Sequence, residues 1–235
     1  MTVKEIMTTL AAKGSESIKK ILLKHGVKEP FFGVKVEELK KIQKVVKKDY
    51  QLAKDLYATG NADAMYLAGL IADDAKMTKK DLNDWVKNAY SNNIGEYTVP
   101  WVAAEGNHGY AIALEWIDSK EPNIAATGWN TLSNVMSLKP DADLNIEQIK
   151  KLMARVEKEI HTAPDRVRYC MNGFVVAAGS YISSLTDQAI ATAKKIGTVT
   201  VDKNGTACKV PFAADYIQKV IDRGNIGKKK KTVKC

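Results

Sequence analysis

A chain of 235 residues, 45% hydrophobic and 27% charged, has the composition of a folded protein and buries roughly 70–75% of its unfolded surface, which excludes general disorder. Its longest near-continuous apolar run, 174–182, is interrupted by Gly179 and Ser180 and falls short of the ~20 residues of a membrane helix; residues 1–10 lack the apolar core of a secretory signal. The net charge is +9, and Cys170, Cys208 and Cys235 have neither a close pairing nor a histidine at ligand spacing, which argues against a disulfide scaffold or a structural metal site.

Helical periodicity and its stop signals predict helices over 3–12 and 17–25, joined at Gly14 and Ser15, then 36–47, 51–58 and 63–72 after a loop containing Pro30. Thr78, followed three residues later by Asp81, is a capping-box start for a helix to Tyr90 with Leu82, Trp85, Val86 and Ala89 on one face. Further helices are predicted over 94–105, 109–119, 124–136, 146–160, 165–182, 185–196 and 213–223. Short helices with brief connections pair and stack, so the expected fold is all-α, an α-solenoid. One small β-hairpin is expected at about 197–211: residues 198–201 alternate, Asn204-Gly205 supplies a turn, and 206–210 alternate again. The expected organisation is a single α-superhelical domain over 1–227 and a basic C-terminal tail over 228–235.

The charge is uneven along the chain. Residues 1–48 hold twelve lysines against five acids, 49–143 seven against fourteen, 144–218 ten bases against seven acids, and 219–235 seven bases against one. Both ends therefore attract a polyanion and the middle repels it. Lys40, Lys44 and Lys47 share a helical edge. Arg166 and Arg168, two residues apart after Pro164, face different directions. Lys203 and Lys209 lie on the expected hairpin. Lys228, Lys229, Lys230, Lys231 and Lys234, preceded by Gly224 and Gly227, read as a mobile cationic tail; five phosphate contacts there would give a log K against log salt slope of about −4.5. Each of these stretches also fits a solvated surface. Trp129, next to Gly128, either packs in the core or lines a groove and stacks on a base. His25, His108 and His161 are isolated and fit capping, surface or core roles.

Gly33-Val34-Lys35-Val36-Glu37-Glu38-Leu39-Lys40 resembles the opening motif of the DNA alkylation repair family, the HEAT-like repeat DNA glycosylases. Segments 53–60 with Leu56-Tyr57, 63–73 through Leu67-Ala68-Gly69, and 77–85 through Asp81-Leu82 to Trp85 are similar to that family in the same order, and Trp116-Ile117-Asp118-Ser119 is a fourth. The ending, from Arg223-Gly224 through Gly227 and the lysines to Val233-Lys234-Cys235, resembles a hairpin-containing subgroup associated with branched DNA and little or no glycosylase activity. The resemblance implies HEAT-like helix pairs in a superhelix whose concave, basic surface holds DNA. In catalytic members it implies excision of N-alkylated purines such as 3-methyladenine or 7-methylguanine, with a carboxylate and an aromatic cradle stabilising the cationic sugar. Aligned on Val99-Pro100, Glu96 falls near the family's aspartate, but Asn or Ser stands where its aromatic belongs, and nothing basic lies around Ala125-Ala126-Thr127, where a phosphate-gripping arginine is expected.

The first reading is therefore a monomeric cytoplasmic protein, without cofactor or metal, that binds duplex or branched DNA by backbone and shape with weak or no glycosylase activity. The second is an N-glycosylase with Glu96 as its carboxylate. The third is a protein-binding helical scaffold.

Overall fold

The computed structural model describes residues 1–202 and 210–235. Among the described residues the chain forms thirteen α-helices and no strand, divided into two compact units. The first unit holds residues 1–108 and, at the far end of the chain, 234–235. Its helices are α1 (Val3–Lys13), α2 (Glu16–Lys24), α3 (Val36–Val46), α4 (Tyr50–Ala58), α5 (Ala62–Ile71), α6 (Lys79–Lys87) and α7 (Val99–Glu105). Helix α5 is its centre: every residue except Tyr66 is buried, and α1, α3, α4 and α7 pack on it.

The loop before α3 is held from that centre. Asp63, buried in the first turn of α5, accepts the amides of Phe32, Gly33 and Val34 at 2.6, 3.0 and 3.2 Å. Burial pushes its carboxyl up while the three amides pull it back. Gly33 sits at φ +80°, and a Cβ there would lie 2.7 Å from the Ser15 carbonyl, so only glycine lets the loop pass. The expected capping box is present at α6: the Asp81 amide donates to Thr78 Oγ1 at 3.1 Å and the Thr78 amide to the Asp81 carboxylate at 3.0 Å. Tyr50 Oη and Lys54 Nζ, each at 2.8 Å, complete the shell of Asp81. Burial opposes its ionisation, but Lys54, Thr78 and Tyr50 outweigh that and hold the carboxyl well below the usual carboxylate range.

Of the described residues, the second unit holds 109–202 and 210–233. It comprises α8 (Gly109–Trp116), α9 (Pro122–Leu138), α10 (Ile146–Glu159), α11 (Asp165–Tyr181), α12 (Thr186–Ile196) and α13 (Ala213–Asp222). Helices α9 and α11 form its core, joined by an edge-on contact of Trp129 and Phe174 with centroids 5.0 Å apart. Helix α8 crosses α9 at Gly128, where a Cβ would lie 2.7 Å from the Ile117 amide.

The helical expectations hold to within a few residues, but the expected hairpin at 197–211 does not. Residues 198–202 form no strand, and 203–209 lie outside the described residues. Two backbone groups here bond side chains of α11: Arg168 donates to the Thr200 carbonyl at 2.9 Å, and the Asp202 amide donates to Asp165 at 3.2 Å. Val199 is buried. The alternating pattern reflects a segment docked on a helix, with one face inward.

Two outcomes follow for stability. Asp63→Ala strips three amides of their acceptor and is expected to cost about 2–4 kcal/mol in urea denaturation. Asp81→Asn is expected to cost about 2 kcal/mol at pH 7. Because the native carboxyl titrates below its unfolded value, its stabilisation is complete above about pH 4 and is lost as pH falls further. The gap between Asp81→Asn and the parent should close in acid, and a constant gap would contradict the ionic role.

Candidate nucleic-acid interface

Lys40 and Lys44 are exposed on α3, and among the described residues neither has an acidic partner, unlike Lys41, which pairs with Glu37 and Glu38. Lys47 is exposed too, but it caps the helix at φ 61°, so helical spacing no longer fixes its direction. Arg166 lies with its guanidinium 4.7 Å from the Tyr169 ring centroid. Arg168 is occupied structurally: besides Thr200 it donates to the Ala163 carbonyl at 3.0 and 3.3 Å. Lys203 and Lys209 lie outside the described residues.

The C-terminal lysines divide into two sorts. Lys234 is an interior cation: its side chain is 8% exposed, and its ammonium lies 2.6 Å from Asp74, whose side chain is 3% exposed. Lys48 reaches the other oxygen of Asp74 at 3.5 Å. Burial pushes the Asp74 carboxyl up, and the two lysines oppose that rise. Cys235 Sγ is 2.9 Å from Tyr66 Oη. Lys229 bonds the Met136 carbonyl at 2.9 Å and pairs with Asp141 at 2.8 Å. The Lys230 amide donates to the Ser137 carbonyl at 2.7 Å, leaving its ammonium 5.6 Å from the Tyr181 ring centroid. Lys228, Lys230 and Lys231 remain exposed and have no carboxylate partner among the described residues. The segment is therefore a docked strap and not the mobile tail the sequence suggests; its exposed cations are held in place.

Glu96 lies on a π-helical turn, Ile94–Thr98, closed by a bond from the Val99 amide to the Ile94 carbonyl. Pro100 has no amide for the Glu96 carbonyl, so a regular α-helix cannot run through this point. The turn sends Glu96 inward, 5% exposed, and Tyr97 outward, 46% exposed. Tyr97 and Tyr66 both approach Trp101, at centroid distances of 6.1 and 5.2 Å. Trp129 is fully buried, so the groove-lining alternative fails for it: its ring contacts Phe174 and lies 5.7 Å from the Arg155 guanidinium.

Among the described residues no cluster of three or more His, Cys, Asp or Glu could hold a metal ion, and no helix is long and apolar enough to cross a membrane. Against known proteins, residues 6–207 match the model of the DNA alkylation repair enzyme family. The chain belongs to that family. Two uncharacterized proteins, from Listeria innocua and Listeria monocytogenes, are each 29% identical to it, over 96% and 95% of this chain and 100% and 99% of theirs. A solved structure covering 100% of both chains, 34% identical and with a TM-score of 0.93, is described as "a new family of proteins related to the HEAT-like repeat DNA glycosylases with affinity for branched DNA structures".

Within this DNA alkylation repair member, sequence reasoning missed Ser180, Tyr181 and Tyr216, which line a groove beside Lys228 and Lys230. Only Tyr216, a large ring amid the polar positions of an amphipathic helix, left a signal in the sequence. The split among the lysines is testable by urea denaturation. Lys234→Met leaves Asp74 with Lys48 alone and is expected to cost about 3 kcal/mol, whereas Lys231→Met should stay within about 0.5 kcal/mol of the parent.

Proposed function

We propose that the protein binds DNA without sequence specificity, through backbone and shape, and prefers branched structures over continuous duplex. The observation that carries this reading is the full-length likeness to a structure described as having affinity for branched DNA. Family membership and the net charge of +9 support it. The exposed cations on α3 and at the C-terminus are of the kind that contact phosphate, and such contacts position a protein without reading bases. We further infer a monomer that acts in the cytoplasm.

The reading assigns weak or no glycosylase activity. Oxocarbenium stabilisation needs a carboxylate facing the sugar and an aromatic partner; Glu96 is buried, and Ser91, Asn92 and Asn93 stand where the aromatic is expected. Losing both leaves duplex binding possible and bond cleavage unsupported.

Gel-shift titration against a four-way junction and a linear duplex, at two salt concentrations, tests the reading. Junction binding should be the tighter, and no binding to either DNA at low salt would leave the scaffold reading instead. Replacing Lys228, Lys230 and Lys231 together by Gln should make the salt slope about 2.7 less steep, the value for three phosphate contacts. Release of methylated purine that disappears in Glu96→Gln would make the protein a glycosylase with Glu96 as its carboxylate.

A further inference from the structure

Beside the C-terminal lysines lies a groove of about 410 Å³ whose walls come from α9, α11, α13 and residues 225–230, a size suited to a small ligand. Among the described residues no Asp or Glu lines it, whereas Lys228 and Lys230 do, so its field favours an anion. Tyr216 stands at its edge, 48% exposed, on a helix that buries Ala213, Ala214 and Ile217. An exposed ring beside a cationic groove offers a face to a planar group.

Two features of α11 keep the groove hollow and polar. At Gly173 a Cβ would meet nothing within 4 Å. This glycine weakens a helix interior without serving any close contact, and its missing side chain leaves the floor open. Ser180 is 4% exposed and lines the groove, yet its Oγ has no hydrogen-bond partner. Ser133 and Ser137, the lining serines of α9, donate to the carbonyls of Trp129 and Asn134. A buried hydroxyl without a partner is costly, and a ligand reaching the floor supplies one.

We propose that this groove takes one unpaired nucleotide of a DNA strand, its phosphate on Lys228 and Lys230, its base against Tyr216, and a sugar or phosphate oxygen on Ser180. A paired base is sealed in its stack; an unpaired one presents ring, sugar and phosphate together. The inference rests on the DNA-binding reading and names what would separate branches that carry unpaired nucleotides, such as flaps, from continuous duplex.

The test is fluorescence-anisotropy titration of the full chain against a blunt duplex and the same duplex with a short unpaired thymidine flap, with thymidine monophosphate as competitor. The flapped duplex should bind about tenfold or more tightly than the blunt one, the value of one stacked base. Gly173→Met, which fills the floor, and Tyr216→Ala, at the surface, should each bring that ratio close to one without lowering the circular-dichroism melt, and Gly173→Met, at a position with no side chain to contact DNA, should leave blunt-duplex affinity unchanged. Equal binding of both duplexes by the parent, or a ratio that survives both variants, overturns the groove proposal and leaves the DNA-binding reading standing. Thymidine monophosphate binding that is lost in both variants, without binding to any DNA, assigns the groove to free nucleotides and overturns both. No binding to any of the three probes also overturns both.

Discussion

A buried charge must be paired, and the pairing of Lys234 with Asp74 decides how the chain ends. Asp74, with a side chain only 3% exposed, would carry a large desolvation penalty on its own. Satisfying it draws the penultimate residue of the chain into the first unit, with Cys235 against Tyr66. The residues just before it are then held too, by the bonds of Lys229 and Lys230 to Met136 and Ser137. A lysine inside such a pair is unavailable to phosphate. Lys229 and Lys234 are paired with Asp141 and Asp74, while Lys228 and Lys230 of the same segment line a defined groove. Fixed cations lose less freedom on binding than a mobile tail would, which favours recognition of one arrangement of phosphates over another.

Most of the fold was legible because the helices announce themselves locally. Thr78 and Asp81 form the capping box their spacing predicts, and the apolar positions Leu82, Trp85 and Val86 are buried as their periodicity requires. What failed was long-range. The alternation at 198–201 is genuine, but the Thr200 carbonyl and the Asp202 amide bond Arg168 and Asp165, more than thirty residues earlier, and no local pattern encodes that docking. Trp129 raised the same difficulty: the neighbouring glycine signals a close approach, and the approach is to the Ile117 backbone. The groove was harder still to read, because its marks are an absence at Gly173 and an unfilled bond at Ser180. The sequence shows the glycine and the serine but neither the open space around the one nor the lone hydroxyl of the other.

Charge counting has the same reach and the same limit. It finds two basic ends, and a polyanion is the natural partner of both. It cannot separate Lys40 and Lys44, which have no acidic partner among the described residues, from Lys41, which pairs with Glu37 and Glu38 on the same helix. Nor does it separate Lys231 from Lys234 within a single run. Burial and partner identity make that division, and it removes two of the five C-terminal cations from any account of salt dependence.

The residues that carry the family likeness are themselves instructive. Leu39, Leu56, Tyr57, Leu67, Ala68, Leu82, Trp85, Trp116 and Ile117 are all buried. Gly33 and Asp63 build the loop before α3, and Asp81 caps α6. Side chains of this kind specify how helices stack; a family defined by them shares an architecture first. Chemistry belongs to positions free to vary on that architecture. In this chain those positions hold a buried glutamate with Ser and Asn where an aromatic is expected, and, far along the sequence, tyrosines and lysines around an open groove. The turn at Ile94–Thr98 faces Glu96 inward, whereas Tyr216, Lys228 and Lys230 meet solvent at the groove.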